Sequence, residues 1–222
     1  MFTGLVETLG TIRSLTRGNK SVRIGVVADR SDYSVGQGDS VAIDGVCLTL
    51  EESANGILLF RAVEETLSRS TLRSIEVGSR VNLERAVRPL DHLGGHFVLG
   101  HVDCIGTIVQ DQKQGDSLVR TFSGTSAVSR FIAEKGSVAL DGISLTVASV
   151  DNNSFSVSFI PYSLAHTTMS IKKPGQQVNI EVDVLARYTA RLLESPPDRT
   201  ATHAGEKAAP SSLYEKMERF GF

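Results

Sequence analysis

Two ten-residue passages hold the residue types in this chain best suited to chemistry. Residues 40–49 read SVAIDGVCLT and residues 137–146 read SVALDGISLT, with seven of the ten positions identical. Cys47 in the first stands where Ser144 stands in the second. A thiol and a hydroxyl at matched positions are candidate nucleophiles, or hydrogen-bond partners for a developing anion. No Cys-His-Asn signature surrounds Cys47, and a small residue on a strand also serves plain packing. His96 and His101 lie in GGHFVLGH (94–101), five positions apart, with Asp103 close behind. A metal site wants a third ligand at a recognised spacing, and none follows, so no metal is read here. The plainer reading is a linker whose glycines allow a tight path and whose histidines pair with backbone. Asp44 and Asp141, each before a glycine, read as turn residues. Asn82 and Asn179 each stand two residues before a glutamate, serving either structure or a ligand. The glycine pairs follow no phosphate-loop or dinucleotide pattern. Spacing alone names no reaction.

The elements that must position these residues come from a long internal repeat. A shift of 97 takes Asp44-Gly45 to Asp141-Gly142, Thr71 to Thr168, Gly78 to Gly175, Asn82 to Asn179 and Glu84 to Glu181. GLVETLGTI (4–12) matches GHVDCIGTI (100–108) at a shift of 96. The unit is too long and too few in copies for a solenoid. The chain therefore divides into two similar units, 1–87 and 98–184, joined by a linker over 88–97. Each unit reads as β, because short runs of Val, Ile, Leu and Thr are separated by turns at Gly36, Asp44-Gly45, Asn55-Gly56 and Gly78. A two-residue Asp-Gly loop pairs Ile43 with Val46 and Val41 with Leu48. Val41, Ile43, Val46, Leu48 and Leu50 then share one face, and Ser40, Ala42, Cys47 and Thr49 the other. The second copy splits alike, with Ser137, Ala139, Ser144 and Thr146 opposite Val138, Leu140, Ile143, Leu145 and Val147. The expected architecture is mainly β: two tandem closed barrels of about six strands each, with helical turns over 65–72 and 163–169. After Asp183, Leu185, Tyr188 and Leu192 fall at helical spacing, predicting a helix over 185–195 that stops at Pro196-Pro197. Residues 196–222 read as a mostly disordered tail, with a last small helix capped by Ser212 and Glu215.

Composition bounds the function classes. The 222 residues carry a net charge of −2, so there is no basic footprint for nucleic acid. No apolar run reaches the length of a membrane span, and MFTGLVETLG lacks the features of a signal peptide. Two cysteines are too few for a disulfide framework. The expected location is the cytoplasm; a plastid form without its transit peptide would read the same.

MFTGLVE, DGVCLT, NLERA (82–86), GGHFVLGH, DGISLTV and VNIEVD (178–183) together resemble the riboflavin synthase family of the single-chain, two-barrel, lumazine-binding kind. The resemblance runs from residue 1 to about 195. It implies two six-stranded Greek-key barrels in a homotrimer, each barrel binding one lumazine. The active site it implies lies between the first barrel of one subunit and the second of its neighbour. It implies dismutation of two molecules of 6,7-dimethyl-8-ribityllumazine by four-carbon transfer, giving riboflavin and 5-amino-6-ribitylamino-pyrimidinedione with no cofactor and no metal. It also points to lumazine synthase as a partner. Carried over by motif, Ser40, Cys47, Thr49, Val63 and Thr66 form the first half-site. Lys135, Ser144, Thr146, Ile160, Ser163 and Asp183 form the second, and Phe2 and His101 lie close to the reacting pair. Tyr162-Ser163 departs from the family's Glu-Thr. The rival reading is a lumazine- or flavin-binding fluorescent protein of the same fold without catalysis.

Overall fold

The structure, a computed structural model, describes residues 1–194. Its first barrel closes six strands: β1 (Thr8–Arg17), β2 (Ser21–Ala28), β3 (Ser40–Ile43), β4 (Val46–Ala54), β5 (Ile57–Val63) and β6 (Arg80–Arg85). The second repeats them as β7 (Cys104–Gln114), β8 (Ser117–Ser123), β9 (Ser137–Leu140), β10 (Ile143–Asp151), β11 (Ser154–Phe159) and β12 (Gln177–Val182). The order around the first barrel is β1-β2-β5-β4-β3-β6, and the second follows the same order six strands later. The run 6-3-4-5 is the Greek-key arrangement. Short helices α1 (Glu64–Arg69) and α2 (Pro161–Ala165) follow the fifth strand of each barrel. Each is followed by a single 3-10 turn, Thr71–Ser74 and Thr168–Ser170.

The hairpin register matches the sequence expectation. Ile43 opposes Val46 and Val41 opposes Leu48, while Leu140 opposes Ile143 and Val138 opposes Leu145. Asp44 and Gly45 have φ of 46° and 76°, as do Asp141 and Gly142 at 46° and 78°. Positive φ at both positions is the type I′ turn, whose twist suits a two-residue hairpin. Each barrel has its own apolar core. Ile24, Val41, Leu50, Phe60 and Leu83 are among the buried residues of the first. Phe122, Val138, Phe155, Phe159 and Ile180 are among those of the second.

Residues Met1–Val184, holding both barrels, form one compact unit, and the chain from Leu185 belongs to another. In the latter, α3 (Val184–Leu193) presents Leu185, Tyr188 and Leu192 as exposed side chains. No helix among the described residues is long and apolar enough to cross a membrane. The tail expected over 196–222, with its Ser212–Glu215 cap, lies outside the described residues.

Candidate functional site

The two barrels are joined by a set of contacts that repeats itself across the seam. The two Asp-Gly turns touch: a Cβ on Gly45 would lie 2.5 Å from Gly142 N. Asn82 donates from Nδ2 to Asp141 O at 3.0 Å and accepts from Thr168 N at 2.8 Å. Asn179 does the reverse, donating to Asp44 O at 2.8 Å and accepting from Thr71 N at 2.7 Å. Of the two roles open to these asparagines, they perform the structural one, each stapling its own barrel to the other. Asp44 and Asp141 also do more than turn the chain. Each accepts from a backbone N–H on the last strand of its own barrel, that of Asn82 on β6 and of Asn179 on β12, both at 2.8 Å. Lys172 Nζ lies 2.5 Å from Asp141 Oδ2. Burial, then the neighbouring Asp141 carboxylate, push the Asp44 carboxyl up to about 7, against the pull of Lys172.

The start of each repeat crosses onto the other barrel. Phe2 and Val98 pair as an antiparallel bridge at the seam. Beyond it, Gly4 O accepts from Ser144 N at 2.8 Å, and Gly100 O accepts from Cys47 N at 2.9 Å. Val6 then packs into the second barrel's core and Val102 into the first. Both crossing glycines are needed twice over. Their φ values are +78° and +79°, a region costly to any residue with a Cβ. An added Cβ would also lie 2.5 Å from that of Ser144 or Cys47. So the exchanged segment brings His101 to the Cys47 side and Leu5 to the Ser144 side.

Around Cys47, the half-buried Ser40 opposes the exposed Thr49 across β3 and β4. Val63 is exposed at the end of β5, and Thr66 is half-buried on α1. A cleft of about 630 Å³ borders Ser40, Thr3, Leu5 and Arg88. Cys47 itself packs against a small apolar cluster of Phe2, Ala42, Val98 and Ala139 in the seam. The face read as mildly polar is thus partly sealed: Ala42 and Ala139 are buried between the barrels. Phe2 is fully buried there too, with its ring against the crossing at Gly100.

Around Ser144, Thr146 and Ile160 are exposed, and Ser163 and Asp183 half-buried. Lys135 has a φ of 64°, where the first repeat has Gly38. A lysine in this left-handed region costs about 1 kcal/mol or more, a strain typical of positions held for function. The spacing argument missed His96. Its Nδ1 lies 2.7 Å from Ser144 Oγ, whereas a backbone partner was expected. Its Nε2 is buried without a partner. Burial holds the imidazole below its ordinary pKa, and the Asp183 carboxylate acts in the opposite direction. A neutral imidazole on a serine hydroxyl is an arrangement that moves a proton. Repeat comparison had no means of finding His96, because the match between the repeats was read from Gly4 and Gly100 onward. Among the described residues, no group of three or more His, Cys, Asp and Glu is placed to hold a metal ion.

Comparison with known proteins gives a consistent picture. The model of the lumazine binding domain matches twice, over residues 3–86 and 99–183. A riboflavin synthase of Photobacterium phosphoreum is 39% identical over 203 residues, covering 90% of this chain and 93% of that protein. That of Brucella abortus (strain 2308) is 41% identical over 199 residues, covering 87% and 98%. A crystal structure of LumP complexed with 6,7-dimethyl-8-(1'-D-ribityl)lumazine superposes with a TM-score of 0.74. It is 21% identical and covers 82% of this chain and 99% of its own. LumP complexed with riboflavin gives 0.74 at 24% identity, with the same coverage. At that identity the two share the fold.

Proposed function

The chain belongs to the lumazine binding domain family, and from that premise we propose that it is a riboflavin synthase. The reaction is dismutation of two 6,7-dimethyl-8-ribityllumazine molecules, one giving a four-carbon unit to the other. The products are riboflavin and 5-amino-6-ribitylamino-pyrimidinedione, and the enzyme is a transferase of the last step in riboflavin formation. The observation that carries this reading is the exchange of Gly4 and Gly100 between barrels, which builds two matched but unequal half-sites. A reaction that joins two copies of one substrate needs two such sites, and holding the rings together removes much of the entropic barrier of a bimolecular step. The hydroxyls of Ser40, Thr49, Thr146 and Ser163 suit a ribityl chain. Cys47 with His101 on one side, and Ser144 with His96 and Asp183 on the other, supply nucleophiles and proton carriers. LumP-like binding without turnover is the weaker alternative, because relatives named riboflavin synthase are similar along most of the chain.

The half-sites lie on outer faces of the barrels, and this supports a site closed by a second copy. We assign that assembly, a homotrimer, to the exposed Leu185, Tyr188 and Leu192 of α3. The domains follow as 1–87 and 98–184 for the barrels, with 185–195 for assembly; lumazine synthase as partner and a cytoplasmic setting complete the proposal. The test is incubation of purified protein with dimethylribityllumazine alone. One riboflavin is expected for every two lumazines consumed; tight binding with no riboflavin formed would favour the antenna-type reading instead. Truncation after Asp183 is expected to give folded barrels that bind ligand but sediment as monomers with little activity.

A further inference from the structure

We propose that Glu181 is a positioning residue for the Cys47 half-site, acting across the seam by pinning the Gly100–His101 peptide; the proposal rests on the catalytic reading above. That peptide is held at both ends. Its carbonyl accepts from Cys47 N at 2.9 Å. Its N–H, that of His101, donates to Glu181 Oε2 at 3.1 Å. The same oxygen accepts from Gly100 N at 2.9 Å, and Oε1 accepts from Leu99 N at 2.7 Å. All three partners are N–H donors, so the carboxylate serves as a pure acceptor, which is its ionised form. Burial pushes its pKa up, while the three amides and, more weakly, the Met1 ammonium pull it down. Bonds of this kind to a charged acceptor are roughly twice as strong as neutral ones. Val102, next in the chain, is packed into the first barrel. The backbone that carries the His101 imidazole is therefore fixed from one side by barrel 2's carboxylate and from the other by barrel 1.

The matching place in barrel 2 is built less directly. The Gly4–Leu5 carbonyl accepts from Ser144 N at 2.8 Å, but the Leu5 N–H goes to Thr3 Oγ1 at 3.2 Å. That hydroxyl in turn donates to Glu84 Oε1 at 2.8 Å. Glu84 also accepts from Thr3 N at 2.6 Å and Gly4 N at 3.1 Å. So Glu84 reaches the corresponding peptide through a threonine relay, and the residue it delivers is an aliphatic Leu5. Two glutamates at one repeat position have unequal leverage on chemistry, because only Glu181 grips the peptide of an ionisable side chain.

The experiment is Glu181→Gln, with Glu84→Gln beside it. An amide nitrogen in place of a carboxylate oxygen turns an acceptor into a donor, so at least one of the three N–H groups loses its partner. The Phe2–Val98 bridge and the Val102 packing do not use this side chain, so the barrels are retained. The expected result is a kcat about tenfold lower or less, with KM changed by less than about threefold, and a smaller loss in Glu84→Gln. In a Cys47→Ser background Glu181→Gln should cost far less than in the parent, whereas in a Ser144→Ala background it should cost its full factor. A parental kcat in Glu181→Gln, or equal losses in both backgrounds, overturns the proposal. If Glu181→Gln does not fold, hydrogen exchange on the unmodified protein decides. The Gly100 and His101 amides are expected to exchange roughly a hundredfold or more slowly than that of the exposed turn residue Gly115; equal rates overturn the clamp. Absence of lumazine turnover in the parent would sink the catalytic reading, leaving the exchange measurement to test the clamp by itself.

Discussion

The two barrels share strand order, hairpin register and seam contacts, yet differ where side chains meet the proposed substrate. Gly4 and Gly100, Asp44 and Asp141, and Asn82 and Asn179 match in type and in the backbone bonds they make, and Glu84 and Glu181 match in type. Cys47 against Ser144 and Leu5 against His101 do not. Residues that build the seam must satisfy the same buried donors and acceptors on both sides, so identity is enforced by desolvation. Residues at the half-sites carry no such paired obligation and are free to diverge into two roles. Identical half-sites bind two lumazines alike; one lumazine must give up four carbons and the other must take them. We hold that the Cys47/Ser144 difference helps separate these fates.

The comparison breaks most sharply at the crossing glycines. Gly100→Ala and Gly4→Ala each place a Cβ 2.5 Å from that of Cys47 or Ser144, at a φ near +79°. Each is expected to cost about 3 kcal/mol of stability, from strain plus overpacking, and to abolish turnover. Urea unfolding with lumazine turnover measures both. Equal losses would show a symmetric seam, and a loss confined to one variant would show that the barrels lean on the crossing unequally.

The next largest effect is expected on exchanging the nucleophile candidates. Cys47→Ser should lower turnover on the order of 10–100-fold beyond any loss of ligand affinity, in the range of acid–base and nucleophilic contributions. Ser144→Cys should lose less, because a thiol retains a donor and gains nucleophilicity. If both single variants and the double exchange turn over like the parent, the division of roles lies elsewhere, with His96, His101 and Asp183 the next positions to vary.

A third difference sharpens with pH. The paired turns bury two carboxyls, Asp44 and Asp141, and Lys172 is bonded to Asp141 and acts on Asp44 through its charge; Arg80, across the neighbouring cleft, is paired with Asp29. The Asp44 pKa is raised from 3.8 to about 7 in the folded chain. A raised carboxyl contributes stability that is fully present below its unfolded pKa and lost as pH climbs towards the folded one. Asp44→Asn should therefore gain on the parent between about pH 4 and 7, on the order of 4 kcal/mol, and hold that margin above pH 7. Denaturant midpoints at a series of pH values give the curve; a constant difference across the range would mean the carboxyl stays ionised throughout.

The smallest effect lies on the caps. Arg69 and Glu65 form an i,i+4 ion pair on α1. The same positions on α2 carry Tyr162 and His166, stacked with centroids 4.1 Å apart. Replacing that stack by the ion pair, Tyr162→Glu with His166→Arg, should change stability by no more than about 0.5 kcal/mol. A change in lumazine affinity on top of that would mark the stack as part of the second half-site, and unchanged affinity would mark it as surface.

Much of the scaffold was legible in the residues because its rules are local. The alternation of Val41, Ile43, Val46 and Leu48 with Ser40, Ala42, Cys47 and Thr49 set both faces. Asp-Gly set the turn, since only a type I′ pair matches the strand twist, and the repeat set the number of barrels. The α3 stripe was legible for the same reason. Which surfaces meet was decided by tertiary structure alone. No periodicity announces that Gly4 lies on Ser144 and Gly100 on Cys47, that Ala42 and Ala139 are sealed in a seam, or that His96 reaches Ser144 across 48 positions. Nor does it announce that Glu181 closes on three amides some 80 residues earlier. Local patterning records how a side chain divides between water and its own sheet. Partners across a buried seam are chosen by the desolvated donors and acceptors that must find one another there, and that choice exists only once both barrels are folded.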